Sequence, residues 1–438
     1  MKTASPLIFA LSLFFVASCA RPPSKLPPEI PGQDAFKISE PPAIVHDDLG
    51  LESLAEALAE NIKRLGETDN KFLQFGPRTV LKKNYVISLQ YLADKIDSGL
   101  PEKDINKIIT DNFQFYEVRK KNKQGDVFIT SYFEPVIEGS REKTATYSQP
   151  LYRVPDNLVN IDLGKFVNEF ERLSALKDEN RSDNMRLYGR LVKTGWGSGY
   201  KVIPYYTREE IDSSKALAHK GLELAWVDPI DAFFLHIQGS GTVKFRDGRK
   251  LRLGYASQNG RPYYAIGGYL KDFIPEDEIS MQSIEKYLRS IPDIDMKNIL
   301  YKNPSYIFFT ILKGKPVTSF GTEVVAGRTI ATDRRYYPKG ALAYMEFKVP
   351  VFDNNGSSKP ARWEPTSRFV LDQDTGGAIN GPHRVDLYWG SGDDAGRHAG
   401  VMKEWGKLYY LVPKQDFIVN ISNGEIPDPG TENSTDTR

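Results

Sequence analysis

Apolar residues in the first third of the chain recur at helical spacing. Leu51, Leu54, Leu58, Ile62 and Leu65 share one face, and Gly66 can end that helix. A second helix fits Val80 to Ser98, with Leu81, Tyr85, Leu89, Leu92 and Ile96 on one side and Gly99 as its stop. A third follows Pro101. Glu102 and Asp104 suit its first turn, and Ile105, Ile108, Ile109 and Phe113 form its face. From Asp126 the pattern changes to short β-rich runs. Val127 to Phe133 reads as a strand that stops at Glu134-Pro135. Further strands are expected at Tyr200–Tyr206, Ala225–Val227, Phe233–Gln238, Thr242–Phe245 and Lys250–Tyr255. A helix fits Ser283 to Ser290. Tyr306 to Pro350, Arg368–Asp372 and Leu408–Val412 are strand-rich again. Several helices followed by many short strands with Gly-rich turns favour a barrel or sandwich.

The ends carry no fold. Met1-Lys2, the apolar run Leu7 to Val16 and the small residues Ala17-Ser18 read as a secretory signal, too short to span a membrane. Val16-Ala17-Ser18-Cys19 resembles a bacterial lipobox, which makes Cys19 the acylated first residue of the mature chain and a membrane anchor. Ala20 follows it, not the aspartate that resembles an inner-membrane retention signal. The expected location is therefore the outer membrane, facing the periplasm. Arg21 to Pro42 contains seven prolines and reads as an extended tether. The tail after Gly424 is polar and expected to be disordered.

Net charge is +1, and removal of Lys2 with the signal brings it to 0. No basic tract points to nucleic acid. Cys19 is the only cysteine, so the mature chain has no free thiol or disulfide. The five histidines (His46, His219, His236, His383 and His398) form no close ligand pair, and no metal or cofactor is expected. Gly239-Ser240-Gly241 is not a nucleophile elbow. No phosphate loop or dinucleotide fingerprint appears.

What remains is carboxylate chemistry. Asp374 and Asp386 lie twelve residues apart among Gly376, Gly377, Gly381, Gly390 and Gly392, with Tyr388-Trp389 beside them. Glycine lets a backbone approach a ligand, aromatic rings offer a sugar a flat apolar face, and a partly buried carboxyl can stay protonated as an acid. Both aspartates could instead be turn or cap residues.

Five separated blocks resemble the membrane-bound lytic murein transglycosylase A family. They are Tyr132-Phe133-Glu134-Pro135, followed by Glu138-Gly139-Ser140 and Pro150-Leu151-Tyr152; Trp226-Val227-Asp228-Pro229 with Phe233 to Gly241; Arg252 to Ala256 with Asn259-Gly260; Asn303 to Phe309; and the motif around Asp374 and Asp386. The last resembles the 3D domain, whose three aspartates fall on Asp333, Asp374 and Asp386. Ser131 and Phe133 depart from the family's glycine and second tyrosine. The stretch between Asp374 and Asp386 is one residue longer than a family pattern.

The resemblance implies a mainly β protein with N-terminal helices: a double-psi β-barrel, an inserted second β-rich domain, and a groove between them. The expected division is 1–18 signal, 19–48 tether, 49–135 helices and first part of the barrel, 136–303 insert, 304–420 second part of the barrel, and 421–438 tail. The implied substrate is the peptidoglycan glycan strand, cleaved by an exotransglycosylase at the β-1,4 bond from N-acetylmuramic acid to N-acetylglucosamine. Asp386 matches the family's single catalytic acid. Asp374 either raises the pKa of Asp386 by its charge or stabilises positive charge on the sugar. Tyr132, Glu134, Gln238, Ser240, Tyr255, Asn259, Tyr388 and Trp389 are the candidate substrate contacts. A monomer is expected, and the sequence identifies no cell-wall synthesis or division partner. Two other readings fit the ends and the aromatics: an inverting endoglucanase-like hydrolase with Asp374 as base, and a non-catalytic glycan-binding lipoprotein.

Overall fold

A computed structural model describes residues 35–119, 127–166, 169–170, 172–173, 186–195, 199–314, 316–353 and 359–425. Cys19 and the signal lie outside these residues. The three N-terminal helices run Leu51–Glu67, Lys82–Asp97 and Glu102–Asn112. Their apolar faces share one core with the main sheet. Polar atoms fix the docking. Asn61 Nδ2 donates to the Gly340 carbonyl at 2.8 Å. The buried Tyr85 hydroxyl accepts from Leu342 N–H at 2.9 Å and donates to the Leu411 carbonyl at 3.1 Å.

Six strands of the main sheet close into a ring. In order they are Glu404–Pro413, Ala341–Val351, Arg362–Asp374, Thr329–Ala331, Arg384–Ser391 and Val127–Glu134, and the last pairs back onto the first. Two neighbouring pairs are parallel, Thr329–Ala331 with Arg362–Asp374 and Arg384–Ser391 with Val127–Glu134. This is the expected barrel, assembled from one early and five late strands. The seam is made by Glu404–Pro413, which pairs with Val127–Ile129 in its first part and with Phe113–Glu117 in its second. Gly406 sits where the partner changes. A Cβ there would lie 2.3 Å from the Glu346 carbonyl oxygen, so only glycine lets the strands approach this closely.

Phe36–Ser39, which the sequence places in the tether, is instead an edge strand paired with Phe113–Val118. Just after it, buried Asp47 grips buried Arg328 with Oδ1–Nη2 2.7 Å and Oδ2–Nη1 2.5 Å. The approach to the helices is thereby fixed to the barrel wall.

A second sheet is built from residues 136–311. Its order is Ile307–Ile311, Lys250–Gln258, Gly241–Phe245, Val136–Ser140, Glu223–Val227 and Gln149–Tyr152. A bridge between Arg153 and Phe309 brings its edges together. A three-stranded sheet of Leu158–Asp162, Arg186–Lys193 and Tyr200–Pro204 accompanies it.

The expected strand at Phe233–Gln238 is a helix, Pro229–Gln238. Asp228 caps it by accepting from Ile230 and Asp231 N–H groups at 2.9 and 3.2 Å, Pro229 opens it, and left-handed Gly239 closes it. The helix is apolar on several sides because two clusters cover it, so its periodicity is masked. Short helices at Asp293–Leu300, Gly392–Ala399 and Gln415–Asn423 add to those the sequence reveals. The last ends at left-handed Gly424, so Ile421–Asn423 belong to it and not to the tail.

Candidate active site

The barrel wall alternates. On Arg384–Ser391, Val385 and Leu387 are fully buried in the core, while Asp386 is partly exposed on the outer face. Asp386 pairs in register with Ala331 on one side and Thr130 on the other, and Ala331 is also opposite Asp374. Strands are spaced ~4.8 Å apart, so the two aspartate backbones lie roughly 9–10 Å apart with Ala331 between them. Sequence distance could not give this placement; the parallel pair did.

The Thr130 hydroxyl donates to Asp386 Oδ1 at 2.7 Å. Burial is the largest influence on this carboxyl and pushes its pKa up to about 6. The Thr130 hydrogen bond and the positive charge of Arg384 oppose that rise, and the charge of Asp374 adds to it. A half-buried carboxyl that is partly protonated near neutrality can act as a general acid.

Asp374 is differently placed. Its Oδ1 accepts from Ser319 and Thr375 N–H groups, both at 2.9 Å, and its Oδ2 accepts from the Tyr132 hydroxyl at 2.9 Å. Burial first, and then the charge of Asp374, hold the Tyr132 phenol well above its usual range, so it remains a donor. The Tyr132 ring rests against Tyr388, with centroids 5.2 Å apart. Lys339 supports this arrangement from beneath: its ammonium donates to the Asp374 carbonyl at 2.8 Å, to Asp372 Oδ1 at 2.6 Å and to Thr332 Oγ1 at 2.8 Å. Asp333 faces elsewhere. It is 5% exposed and accepts from the Arg335 side chain and from Gly381 N–H at 2.7 Å. Burial works against its charge, but these donors prevail and lower its pKa.

The structure thus gathers Asp386, Asp374, Tyr132 and Tyr388, and it adds Thr130, which sequence reasoning missed. Thr130 was findable: two residues before Tyr132 in a strand, it must share its face. Glu134 is a latch between the two sheets. Only 2% exposed, it accepts from Thr242 at 3.1 Å and Ser391 at 2.7 Å and pairs with Arg252 at 3.3 Å. Asn259 is buried and engaged through both amide atoms, with Tyr206, Pro304 and Tyr306 as partners. Trp389 lies on the opposite face from Asp386, stacked on His398 at 5.4 Å. These three hold the scaffold. Ser240 and Tyr255 sit on the insert, and Tyr255 is 49% exposed. Gln238 accepts from Phe133 N–H at 3.2 Å and helps line a cleft of roughly 260 Å³ between the barrel strand at Ser131 and Phe133 and the helices Pro229–Gln238 and Met281–Ser290. A second cleft of roughly 390 Å³ lies between Phe133–Glu138 of one strand turn and Asp393–Arg397 of the barrel side. Among the described residues no cluster of three His, Cys, Asp or Glu side chains is placed to hold a metal.

Known proteins share this arrangement. Residues 128–310 match the MltA specific insert domain and residues 328–412 match the 3D domain. The membrane-bound lytic murein transglycosylase A of Escherichia coli (strain K12) is 29% identical over 301 residues, 68% of each chain. A membrane-bound lytic murein transglycosylase from Agrobacterium tumefaciens superposes with a TM-score of 0.63 at 28% identity, covering 84% of this chain and 93% of that one. MltA from Neisseria gonorrhoeae gives 0.62 at 26%, covering 87% and 93%. With the insert domain followed by the 3D domain, the chain belongs to the membrane-bound lytic murein transglycosylase A family.

Proposed function

We propose that Asp386 is the general acid, and then the general base, of this peptidoglycan lytic transglycosylase. The observation that carries the assignment is its carboxyl: half-buried on the outer face of the barrel, held by the single Thr130 hydroxyl, and raised to about 6 by burial. Protonated Asp386 gives its proton to the oxygen linking N-acetylmuramic acid to N-acetylglucosamine, and that bond breaks. The muramyl C6 hydroxyl then attacks the anomeric carbon, Asp386 takes its proton, and a 1,6-anhydro ring closes. No water enters and the acid is regenerated. One carboxyl suffices because the nucleophile belongs to the substrate and is already in reach.

Asp374 fits a supporting part. Three donors hold it beside the position of the sugar, where its negative charge faces developing positive charge and disfavours ionisation of Asp386. An inverting hydrolase would need such a carboxylate free to activate water. Tyr132 offers the adjoining aromatic ring, buried Tyr388 packs against it, and Gln238 lines a cleft with Ser131 and Phe133. The division into a barrel and a second sheet of residues 136–311 gives the strand a groove to lie in. Acylation of Cys19 would hold the enzyme on the periplasmic face of the outer membrane, with release of disaccharide units from strand ends.

Mass spectrometry of muropeptides released from purified sacculi tests this reading. The expected products are lighter by one water than hydrolysed muropeptides and absent with Asp386→Asn. Reducing-end products would replace the transglycosylase mechanism with hydrolysis.

A further inference from the structure

The outer barrel face does not end at Asp386. Arg384 is two residues before it in the same strand and therefore on the same face, ~7 Å along. Arg384 is opposite Phe128 in the neighbouring strand, and its guanidinium lies 4.8 Å from the centre of that ring. Phe128 is in turn opposite Trp405, whose ring centre is 5.1 Å from it. Trp405 is 61% exposed, and Lys407, two residues on, is exposed as well. Arg384 Nε is enclosed yet has no hydrogen-bond partner. An enclosed donor without an acceptor is costly, so this guanidinium keeps hydrogen-bonding capacity that the chain itself leaves unused.

These groups form one continuous surface running from the acid: a cation backed by a ring, then an open indole. A sugar ring presents C–H groups to an indole, and a guanidinium takes a carboxylate through paired hydrogen bonds. N-acetylglucosamine has no carboxylate. The muramyl unit has a lactyl carboxyl, which is either free or extended by a stem peptide that bears carboxylates of its own.

We propose that Arg384, Phe128 and Trp405 form a subsite beside Asp386 that selects the carboxylate-bearing unit of the glycan. The sugar face lies on Trp405 and Phe128, and the carboxylate completes Arg384. This rests on the glycan-cleaving reading above, but it concerns binding and can be tested without turnover.

The test uses the full-length chain in detergent carrying Asp386→Asn, which removes cleavage. Calorimetry compares three ligands: a chitin oligosaccharide, peptide-free peptidoglycan strands with free lactyl groups, and strands that retain stem peptides. Arg384→Gln is expected to weaken the carboxylate-bearing ligands roughly tenfold and leave the chitin oligosaccharide unchanged. Arg384→Lys restores part of the loss. Weakening with peptide-free strands places the lactyl carboxylate on Arg384, and weakening only with peptide-bearing strands places the stem peptide there. Trp405→Ala is expected to weaken all three, again roughly tenfold. Equal loss for all ligands with Arg384→Gln, unchanged affinity in both variants, or no binding by the parent would overturn the subsite. Cleavage of sacculi by the chain with Asp386 intact, run alongside, reports separately on the transglycosylase reading.

Discussion

The inside and outside of the same barrel wall treat the same residue type in opposite ways. Asp372 points into the barrel and is fully buried, and Asp47, on the segment that docks against the wall, is nearly so. Asp372 is held by Lys339, Thr332 and Tyr410, and Asp47 is gripped by the Arg328 fork. Asp386 points outward, with one hydroxyl and no ion pair at hydrogen-bond distance. Burial makes a carboxylate costly, and donors decide whether the cost is met. Inside, donors are supplied in full and the charges brace the fold. Outside, supply stops short and a proton remains available for chemistry.

The largest test of this contrast is removal of the acid. Asp386→Asn should lower muropeptide release by roughly 10²–10⁴-fold while sacculus binding persists. Retained turnover would transfer the acid role to another group. Next in size is the inner pair. Asp47→Asn leaves the Arg328 charge buried without its counter-ion and should cost about 3–5 kcal/mol in urea unfolding, with little change in the activity of the folded fraction. A loss under 1 kcal/mol would mean that water reaches this pair.

The pH dependence is a finer probe. Asp386 acts protonated, so kcat/KM should fall as pH rises through about 6. Thr130→Val removes a bond that favours the carboxylate, so the falling limb should move to higher pH. A shift to lower pH would reverse the assigned role of this hydroxyl.

The smallest effect is on stability. The folded-state pKa of Asp386 lies above its ordinary value of 3.8, so ionisation opposes folding. That penalty is absent below the ordinary pKa, grows as pH rises toward about 6 and is complete above it. Asp386→Asn should therefore raise Tm by a few degrees at pH 8 and leave it nearly unchanged at pH 3.5. Equal shifts at both pH values would assign the change to packing.

Much of this was legible in the chain. The three N-terminal helices follow from apolar spacing, because each buries one face and exposes the other. Asp386 stood out because a carboxylate among glycines and aromatics is unusual chemistry in a short stretch. The helix at Pro229–Gln238 was misread because it is covered on several sides, although its cap, Asp228-Pro229, was in plain view. Glu134, Asn259 and Trp389 could not be sorted from Tyr132 and Tyr388 by residue type. All are polar or aromatic residues in motif blocks, and their burial and partners are set only by the fold.

The sequence by itself determined the helices, the strand-rich remainder and the residue that can carry acid chemistry, since these depend on local periodicity and side-chain type. Tertiary structure alone decided that Thr130 meets Asp386 across 256 positions, that Tyr132 meets Asp374 across 242, and that Gly406 closes the ring. The physical reason is register. Pairing between distant strands fixes which side chains share a face, and that face sets the hydration and the partners from which a carboxyl takes its pKa.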